Sequence, residues 1–303
     1  MDKATELAVV RRAYAKHVLA EAQIIDPRIE AAFATVPRED FLGPGPWLIP
    51  RWLVGPAPTP TADPVYLYVD SLVQIIPERH LNNGVPSAHA RWIGAARPVE
   101  GNYVVHVGTG TGYYTAILAH LVGSAGKVTG IEFDPVLAAR AQANLSSCPN
   151  VHVVQGDGAL TRFASADIIY VSAGATRPAD VWLDGLSEGG RLIVPLTTDR
   201  GFLDDANAPL ERRGAMFLFE RRTPDILARW LTPAGFIPCE SARDAQSEAA
   251  LTEAFKKVDG SGSRASIATI LFRTSAVGYA LRDGAWHITR RGYLERLGRG
   301  KVL

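Results

Sequence analysis

A glycine-rich turn constrains the fold of this chain more than any other feature. Residues 104–107 form a short run rich in β-branched side chains, and glycines follow at alternate positions, Gly108, Gly110 and Gly112. From Tyr113 onward the apolar spacing is that of a helix. Glycines at such a turn let the backbone approach a ligand closely, and a helix start presents unpaired N–H groups. The stretch therefore predicts a strand, a ligand-binding turn and a helix.

The glycine spacing distinguishes between classes of cofactor. The dinucleotide fingerprint is G-x-G-x-x-G, whereas Tyr113 stands here in the place of the third glycine. A nicotinamide- or flavin-dependent dehydrogenase is therefore disfavoured, and specific nicotinamide binding would revive it.

Two acids follow the turn at the ends of predicted strands. Residues 127–132 are typical of a buried strand ending in Glu132, where a carboxylate can accept hydrogen bonds from a ribose diol. Residues 151–158 predict a third strand and its turn, where Asp157, beside Gly158, could meet an adenine amino group. Each acid taken alone is equally well explained as a helix cap or turn residue. Together the three signals describe an adenosine site without a pyrophosphate cradle, which suggests S-adenosylmethionine.

The same segments resemble one known family. Residues 104–121, 156–158, 167–175 and 186–196, with Val36–Phe41 near the N-terminus, are similar to protein-L-isoaspartate O-methyltransferases. The resemblance covers roughly residues 10 to 200. It implies a class I methyltransferase (Rossmann-like) α/β fold: a doubly wound, mostly parallel sheet, here with N-terminal helices and a C-terminal extension. It also implies esterification of the carboxylate of isoaspartyl residues in damaged proteins, with S-adenosyl-L-homocysteine as the second product.

The order of the patterns divides the chain into three regions. Alternating strands and helices independently require a parallel, doubly wound sheet. We expect an N-terminal helical and substrate-loop region over residues 1–96, an S-adenosylmethionine-binding core over 97–222 and an extension over 223–303.

The resemblance implies that the loop ending at Pro86, here called the acceptor loop, binds the methyl acceptor. This loop departs from the family pattern. The family's loop reads Thr-Ile-Ser-Gln-Pro before a helix, and its hydroxyl residues help hold the substrate carboxylate. Alignment on Pro86 and on the following Ala-Arg pair places Asn82, Asn83 and Gly84 at the Thr-Ile-Ser positions. The serine hydroxyl is therefore absent at Gly84.

The chemistry of a carboxylate acceptor limits what this loop must do. Such an acceptor, with a pKa near ~4, is already ionised at neutral pH and needs no general base. Catalysis is then in-line positioning with partial exclusion of water. Asn82 and Asn83 carry amide donors that suit an anion, and His80 could add charge, so these three are the predicted catalytic residues. Asn83 is equally well explained as part of an Asn-Gly tight turn. His89 is interpreted as a helix-surface residue.

Three further residues are predicted on the substrate side: Pro86 before the helix, and Thr176 and Arg177 after the fourth strand. Open parallel sheets bind ligands at the carboxyl ends of their strands, which is where Thr176 and Arg177 fall.

A second departure lies just before the glycine turn. Class I methyltransferases usually carry an acid here that helps orient the cofactor's amino end, and this chain has His106. A neutral imidazole can accept one hydrogen bond but cannot act as an anion. A tolerated substitution, weaker cofactor affinity and a catalytic histidine for a hydroxyl acceptor all remain open. The predicted cofactor-binding residues are His106, Gly108, Thr109, Gly110, Gly112, Tyr113, Glu132, Asp157 and Gly158.

These observations predict an S-adenosylmethionine-dependent O-methyltransferase acting on a carboxylate of a protein, peptide or small metabolite. The missing loop hydroxyl favours, as an alternative, a small-molecule or natural-product methyltransferase with a non-carboxylate acceptor. Loss of both the hydroxyl and the acid leaves open a non-catalytic S-adenosylmethionine-binding protein.

Composition bears on partners and location. A formal net charge of +1 over 303 residues gives no long-range attraction to nucleic acid or anionic membranes. The N-terminus lacks a signal peptide's apolar segment, and no stretch approaches the ~18 apolar residues of a membrane helix, so a cytoplasmic location is expected. Cys148 and Cys239 do not make a disulfide framework or a zinc site, and no metal site is predicted.

The remaining patterns concern residues 44–69 and the C-terminal part of the chain. Seven prolines from Pro44 to Pro64 exclude a helix or central strand and predict a surface loop, which would be a lid or a partner-binding arm. Trp47 and Trp52 within it could anchor the loop to the body, and simple packing is the favoured interpretation. Residues 65–69 predict a strand. The extension shows strand patterns at 216–220 and 265–272, a helix over 244–257 with Ala249, Ala250 and Phe255 inward, a flexible connector at 260–263, and an Asp-Gly hairpin over 279–289. It could cover the active site or mediate homo-oligomerisation.

Overall fold

The computed structural model describes residues 2–51, 55–198, 210, 213–223, 225–256, 277–282 and 285–290. The chain forms two compact units, Met1–Gly158 and Ala159–Leu303. The division by function that the sequence suggests, at residues 96 and 222, stays a prediction. Nowhere in these described ranges is there a helix long and apolar enough to cross a bilayer.

The first unit consists of N-terminal helices, two small hairpins and a parallel three-stranded sheet. Its helices are α1 (Lys3–Ala22), α2 (Pro27–Thr35), α3 (Glu39–Leu42), α4 (Pro86–Ala96), α5 (Tyr113–Val122) and α6 (Pro135–Asn144). Its strands are β1 (Leu48–Arg51), β2 (Gly55–Pro58), β3 (Gln74–Ile76), β4 (Leu81–Asn82), β5 (Tyr103–Val107), β6 (Lys127–Glu132) and β7 (Val151–Gln155).

The parallel sheet of the first unit fixes where a ligand can bind. Strand β6 pairs in parallel with β5 on one side and with β7 on the other. Helices α5 and α6 form the two crossovers, so all three strands point the same way and end at one edge. The turns that follow Val107, Glu132 and Gln155 therefore lie side by side, as the order of the sequence signals predicted.

Helices α2 and α6 each begin at an Asp-Pro pair. Asp26 accepts a hydrogen bond of 2.9 Å from the backbone N–H of Arg28, with Pro27 as the first helical residue. Asp134 does the same for α6, accepting from Val136 N at 2.9 Å. In both helices the acid caps the first turn and the proline has a φ angle already suited to a helix, so neighbouring residues alone determine where the helix starts.

The proline-rich segment contains an antiparallel hairpin. Strands β1 and β2 pair with Leu48 opposite Pro58. The predicted packing of Trp47 is confirmed, because its indole is buried and its Nε1 donates to Gly43 O at 2.9 Å. Trp52 lies outside the described residues. The buried cluster around it consists of Leu42, Trp47, Ile49, Leu67 and Val73.

The strand predicted over residues 65–69 is wrong. Pro64–Leu67 is a 3₁₀ turn, with Asp63 accepting from Val65 N at 3.0 Å. The Asp63-Pro64 pair favours the start of a helical turn, and this local preference outweighs the strand preference of the β-branched and aromatic residues that follow. The carbonyl oxygen of Leu67 then accepts from the guanidinium of buried Arg38, at 2.5 Å, instead of from a neighbouring strand.

The second unit carries parallel strands followed by an antiparallel meander. Its elements are β8 (Ala166–Val171), α7 (Asp180–Asp184), β9 (Leu186–Thr197), β10 (Gly214–Arg222), β11 (Asp225–Pro233), α8 (Ala245–Lys256), β12 (Val277–Arg282) and β13 (Ala285–Arg290). Strands β8 and β9 are parallel, and β9, β10, β11, β13 and β12 pair antiparallel in that order. The strand predicted at 216–220 and the late hairpin are confirmed by β10 and by the pair of β12 and β13, whereas β11 was not anticipated.

Helix α8 is placed as predicted, but its inner face is shifted. Phe255 is buried as expected, together with Leu251 and Ala254, whereas Ala249 is exposed and Ala250 half-buried. The buried positions follow an i, i+3, i+4 pattern from Leu251, which the run of small residues before it obscured. The connector at 260–263, the strand pattern at 265–272 and the Asp-Gly turn at 283–284 lie outside the described residues.

Candidate active site

The glycine turn between β5 and α5 uses backbone conformations that glycine adopts without strain. Gly108, Gly110 and Gly112 have φ angles of 76°, 58° and 104°. A Cβ built on Gly110 would meet no atom within 4 Å among the described residues, whereas a Cβ on Gly112 would lie 2.8 Å from Leu145 Cδ1. The turn is thus open at Gly110 and closely packed at Gly112.

The carboxylate of Glu132 lies against this turn. Its Oε2 accepts from the backbone N–H of Gly110 at 2.7 Å, and its Oε1 accepts from Asp134 N at 3.0 Å. The residue is 7% exposed, and burial raises the pKa of its carboxyl group while the backbone N–H groups oppose that shift. The structure therefore brings together two sequence-predicted features, the glycine turn and the acid after β6.

The third loop reaches the same edge. The backbone N–H of Gly156 donates to Glu132 O at 2.9 Å, and the half-buried Asp157 follows it. A Cβ on Gly158 would lie 2.3 Å from Val107 Cγ1, so a side chain there could not be accommodated without movement of β5. Glycine at this position lets the Asp157 loop pack onto the strand that precedes the glycine turn.

His106 is a buried, neutral residue. It is 1% exposed, its Nδ1 lies 2.8 Å from Thr115 Oγ1, and burial lowers its pKa to about 3. The imidazole therefore carries no charge at neutral pH and is positioned against the first turns of α5.

The side chains of Thr109 and Tyr113 help to hold the turn. Thr109 Oγ1 donates to His106 O at 3.3 Å, and the Tyr113 ring packs edge-on against Phe41, with centroids 5.7 Å apart. Both side chains are buried. A cofactor contact by Tyr113 would thus come from its backbone N–H at the start of α5, whereas the backbone N–H of Thr109 already donates to Ile131 O at 3.3 Å.

The predicted catalytic residues His80, Asn82 and Asn83 lie in and after the β3–β4 hairpin. Asn82 Oδ1 accepts from Gly84 N at 2.9 Å, and its Nδ2 donates to His80 O at 3.2 Å. His80 itself is exposed and has a φ of 55°. Both contacts lie within the loop, so the main structural role of Asn82 is to stabilise the turn.

Asn83 is held more firmly. It is 8% exposed, and its Oδ1 accepts from Val73 N at 2.8 Å and from Arg38 Nη2 at 3.3 Å. Its Nδ2 is buried and finds no acceptor in the part of the chain that the structure describes. Leaving a buried N–H donor without an acceptor costs free energy of folding. An anion that reached this amide nitrogen could accept its hydrogen bond and remove that cost.

His89 is buried, and its interpretation as a helix-surface residue is wrong. Its ring stacks on Tyr114 with centroids 3.6 Å apart and planes 6° from parallel, and it meets Trp92 edge-on. It is 3% exposed, and burial, reinforced by the positive charge of Arg38, holds its pKa well below the usual range. Pro86, a predicted substrate-side residue, is the buried first residue of the same helix.

His89 also explains the residue at position 84. Gly84 has a φ of 72°, and a Cβ on it would lie 2.4 Å from His89 Nε2. The space that a serine side chain would need is therefore already filled by the imidazole.

Two residues at this edge of the sheet were not predicted from the sequence. Arg79, just before the exposed His80, pairs with Asp134 with its Nη1 2.5 Å from Asp134 Oδ2, and this contact lowers the pKa of Asp134. Phe133, directly after Glu132, is 53% exposed. The signals were an aromatic residue following a strand-end acid and an arginine in a predicted loop, neither of which has a distinctive spacing.

Thr176 and Arg177 belong to the second unit. Thr176 is fully buried, with its Oγ1 2.7 Å from Ser247 Oγ and accepting from Asp244 N at 3.2 Å. Arg177 pairs with Asp244, with Nε 3.4 Å from Oδ2. Both side chains help fix the start of α8 to the loop after β8, and their role toward a substrate stays a prediction.

Two solved structures share this fold. One protein-L-isoaspartate O-methyltransferase superposes with a TM-score of 0.63 at 23% identity, covering 93% of this chain and 88% of that one. A Plasmodium falciparum protein described as a beta-aspartate methyltransferase, solved in complex with S-adenosyl-L-homocysteine, gives 0.55 at 17% identity, covering 76% and 98%. The chain has the class I methyltransferase fold, with its doubly wound, mostly parallel α/β sheet, as predicted.

Sequence similarity identifies the family within this class. The family model for protein-L-isoaspartate(D-aspartate) O-methyltransferase matches residues 60–207. The Ignicoccus hospitalis protein-L-isoaspartate O-methyltransferase is 32% identical over 196 residues, which cover 63% of this chain and 84% of that protein. The chain belongs to the protein-L-isoaspartate O-methyltransferase family, whose cofactor is S-adenosylmethionine.

Relatives differ in how much of their length this chain covers. The Thermotoga maritima protein-L-isoaspartate O-methyltransferase is 28% identical over 222 residues, and the match covers 70% of this chain and 61% of that protein.

Proposed function

We propose that this chain transfers a methyl group from S-adenosylmethionine to the free carboxylate of isoaspartyl residues in peptides and proteins. The observation that carries the proposal is the meeting of Gly110, Glu132 and Asp157 at one edge of the parallel strands, with the turn open above Gly110. Family membership supports the choice of reaction and acceptor.

The residues at this edge fit the cofactor. Glu132 would accept hydrogen bonds from the ribose hydroxyls, and the exposed ring of Phe133 offers an aromatic face for the adenine. Asp157 would accept from the adenine amino group, and the open face of Gly110 leaves room for close approach. The cofactor, when bound, supplies an activated methyl group.

His106 changes how the amino end of the cofactor would be held. A neutral imidazole offers a hydrogen bond without the charge attraction that an acid would give, and charged hydrogen bonds are roughly twice as strong. We therefore expect cofactor affinity below that of relatives with an acid at this position.

The acceptor requires positioning, not deprotonation. An isoaspartyl carboxylate is ionised at neutral pH, so the loop must supply donors and exclude water while the oxygen is held in line with the methyl group. The buried donor Asn83 Nδ2 lies in this loop, and Arg79 ties the loop to Asp134 next to the cofactor edge. Pro86, Thr176 and Arg177 remain proposed substrate-side residues.

The test is methyl transfer from labelled S-adenosylmethionine to an isoaspartyl peptide, with the matching aspartyl peptide as control. We expect base-labile label on the isoaspartyl peptide alone, because carboxyl methyl esters hydrolyse readily in base. If neither peptide is labelled while S-adenosylhomocysteine binding is demonstrated, the acceptor assignment is wrong.

A small-molecule O-methyltransferase is the second candidate. The observation that favours it is the Gly84–His89 contact, which leaves no room for the serine side chain of the family's acceptor loop. Label on a hydroxyl or a small carboxylic acid, with none on either peptide, would support this candidate.

The proposed location is the cytoplasm, and the proposed partner is a peptide or protein acceptor. Both cysteines, Cys148 and Cys239, are free thiols, as is usual for a reducing compartment. Homo-oligomerisation through the C-terminal extension stays a prediction.

A further inference from the structure

The guanidinium of Arg38 is a fully buried positive charge behind the acceptor loop. Its Nη1 donates to Leu67 O at 2.5 Å and to Val69 O at 3.0 Å. Its Nη2 donates to Ser71 O at 2.6 Å and to Asn83 Oδ1 at 3.3 Å. All four acceptors are neutral oxygens, which stabilise a buried cation through their dipoles but carry no net charge. The field of one positive charge therefore remains around Arg38.

Two acids lie near Arg38 without neutralising it. Glu39 follows in the chain, but its carboxylate pairs with Arg11, with Oε1 2.5 Å from Nη2. Asp70 is half-buried, and its Oδ1 accepts from Ser87 N at 2.8 Å. Among the described residues, no carboxylate forms an ion pair with Arg38.

The positive charge reaches the junction between the acceptor loop and helix α5. Burial raises the pKa of Tyr14 and of Tyr113, the first residue of α5, and the charge of Arg38 opposes both shifts. Burial lowers the pKa of His89, and Arg38 lowers it further. Asp70 acts on the pKa of Tyr14 in the opposite direction, more weakly than Arg38 does. The electrostatic potential on this side of Arg38 is therefore positive.

The amide of Asn83 meets this charge with its negative end. Its Oδ1 accepts both from Arg38 Nη2 and from Val73 N at 2.8 Å, which fixes the orientation of the amide. The positive end, Nδ2, is thereby turned away from these two donors, and it is buried with no acceptor in the part of the chain that the structure describes. An aspartate at this position could accept from the same two donors and would cancel the charge of Arg38.

We propose that the buried charge of Arg38 makes the acceptor loop selective for an anionic methyl acceptor, and that the neutral amide of Asn83 leaves this charge uncompensated. Arg38 acts through the electrostatic potential at the loop, without contact to the acceptor. This role rests on the proposed function, because the anion concerned is the same isoaspartyl carboxylate. A buried cation without a carboxylate is costly, and an acceptor that brings its own negative charge offsets part of that cost.

The variant N83D tests this role by placing a carboxylate beside Arg38. The guanidinium then gains an ion pair, and the buried N–H donor without an acceptor is removed. We therefore expect a melting temperature no lower than that of wild type. N102D is the matched control, because Asn102 Oδ1 also accepts from a backbone N–H, that of Val99 at 3.0 Å. Asn102 precedes β5, at the opposite end of that strand from the glycine turn.

Activity should respond in the opposite direction from stability. Steady-state methylation of an isoaspartyl peptide gives kcat and KM, and calorimetry gives the S-adenosylhomocysteine affinity. In N83D we expect KM for the acceptor to rise by about tenfold to a hundredfold, because one charge acts on another through a partly buried medium. Cofactor affinity and kcat should stay within about twofold of wild type, and N102D should retain wild-type kinetics.

The preference for a carboxylate over a carboxamide separates charge from packing. Calorimetry on the complex with S-adenosylhomocysteine compares the isoaspartyl peptide with the same peptide whose free carboxylate is replaced by a neutral carboxamide. Wild type, and N83A, which adds no charge, should bind the carboxylate at least about tenfold more tightly, whereas N83D should bind the two peptides within about threefold.

Three results would overturn the inference. Equal binding of the two peptides by wild type would do so without any variant having to fold. An unchanged preference in N83D would show that the charge of Arg38 is not felt by the acceptor. Loss of the preference in N83A as well as in N83D would assign the effect to the amide of Asn83 instead of to the charge.

Failure of the proposed function would look different. Wild-type protein that binds S-adenosylhomocysteine but does not methylate the isoaspartyl peptide would overturn the acceptor assignment and this inference with it. Active wild-type protein whose N83D variant keeps both its KM and its preference would overturn this inference alone.

Discussion

The carboxylate of Glu132 accepts a hydrogen bond of 2.7 Å from the backbone N–H of Gly110. This contact joins the end of one parallel strand to the glycine turn of its neighbour, 22 residues earlier in the chain. We propose that a bound nucleoside contacts both groups, so the contact lies at the proposed cofactor edge of the sheet.

Substitution of Glu132 by Gln should weaken S-adenosylhomocysteine binding by about tenfold to a hundredfold, because an amide gives up one charged acceptor. Isothermal calorimetry measures the effect, and E100Q at an exposed position is the matched control. Equal affinity in E132Q and wild type would remove Glu132 from the cofactor site.

Two glycine-to-alanine substitutions should separate binding from stability. In G110A the added methyl group enters open space, so only the φ of 58° should cost stability, by about 1 kcal/mol. Because the proposed cofactor site uses that open space, we expect at least tenfold weaker cofactor binding. In G158A the methyl group meets Val107 at 2.3 Å, so the loss of unfolding free energy should be about 1–3 kcal/mol. Thermal denaturation and calorimetry on both variants check the contrast, which fails if G110A binds the cofactor normally.

His106 should make the protein sensitive to acid. Its pKa is about 3 in the folded protein and near 6.5 when unfolded, so the unfolded state takes up the proton first and stability falls as pH drops from about 6.5 toward 3. Between pH 7 and pH 5 this costs about 2 kcal/mol.

The variant H106N lacks this titration. Denaturant unfolding at pH 7 and pH 5 should therefore show a smaller acid loss in H106N than in wild type, by that amount. Identical pH dependence in the two proteins would mean that His106 does not titrate as its burial implies.

The ion pair between Arg79 and Asp134 should matter more for the acceptor than for stability. Exposed pairs contribute about 0–1 kcal/mol, so R79Q should leave the melting temperature nearly unchanged. Because the pair ties the acceptor loop to the cofactor edge, KM for the acceptor should rise a few-fold. The surface pair of Arg28 with Asp26 offers the control R28Q, whose KM should equal that of wild type.

Local signals in the sequence predicted the parts of the site that depend on local structure. The glycine turn and the acid at the end of β6 each follow from neighbouring residues, and the structure places them as expected. The order of strands then brings the three turns to one edge, because parallel strands share a direction.

The acceptor loop could not be predicted in the same way. His89 is buried because Tyr114, on a helix 25 positions further along, provides the ring on which it stacks. Asn83 is engaged by Arg38, 45 residues away, and by Val73. Such long-range contacts leave no periodic trace in the sequence, and they decide which side chains remain available to a substrate.

The proposed activity is tested most directly by a competition between the isoaspartyl and aspartyl forms of one peptide, mixed in equal amounts with the protein and S-adenosylmethionine. Mass spectrometry then reports which form gains a methyl group. We expect methylation of the isoaspartyl form alone, at its free carboxylate. Methylation of both forms equally, or of neither by protein that binds S-adenosylhomocysteine, would contradict it.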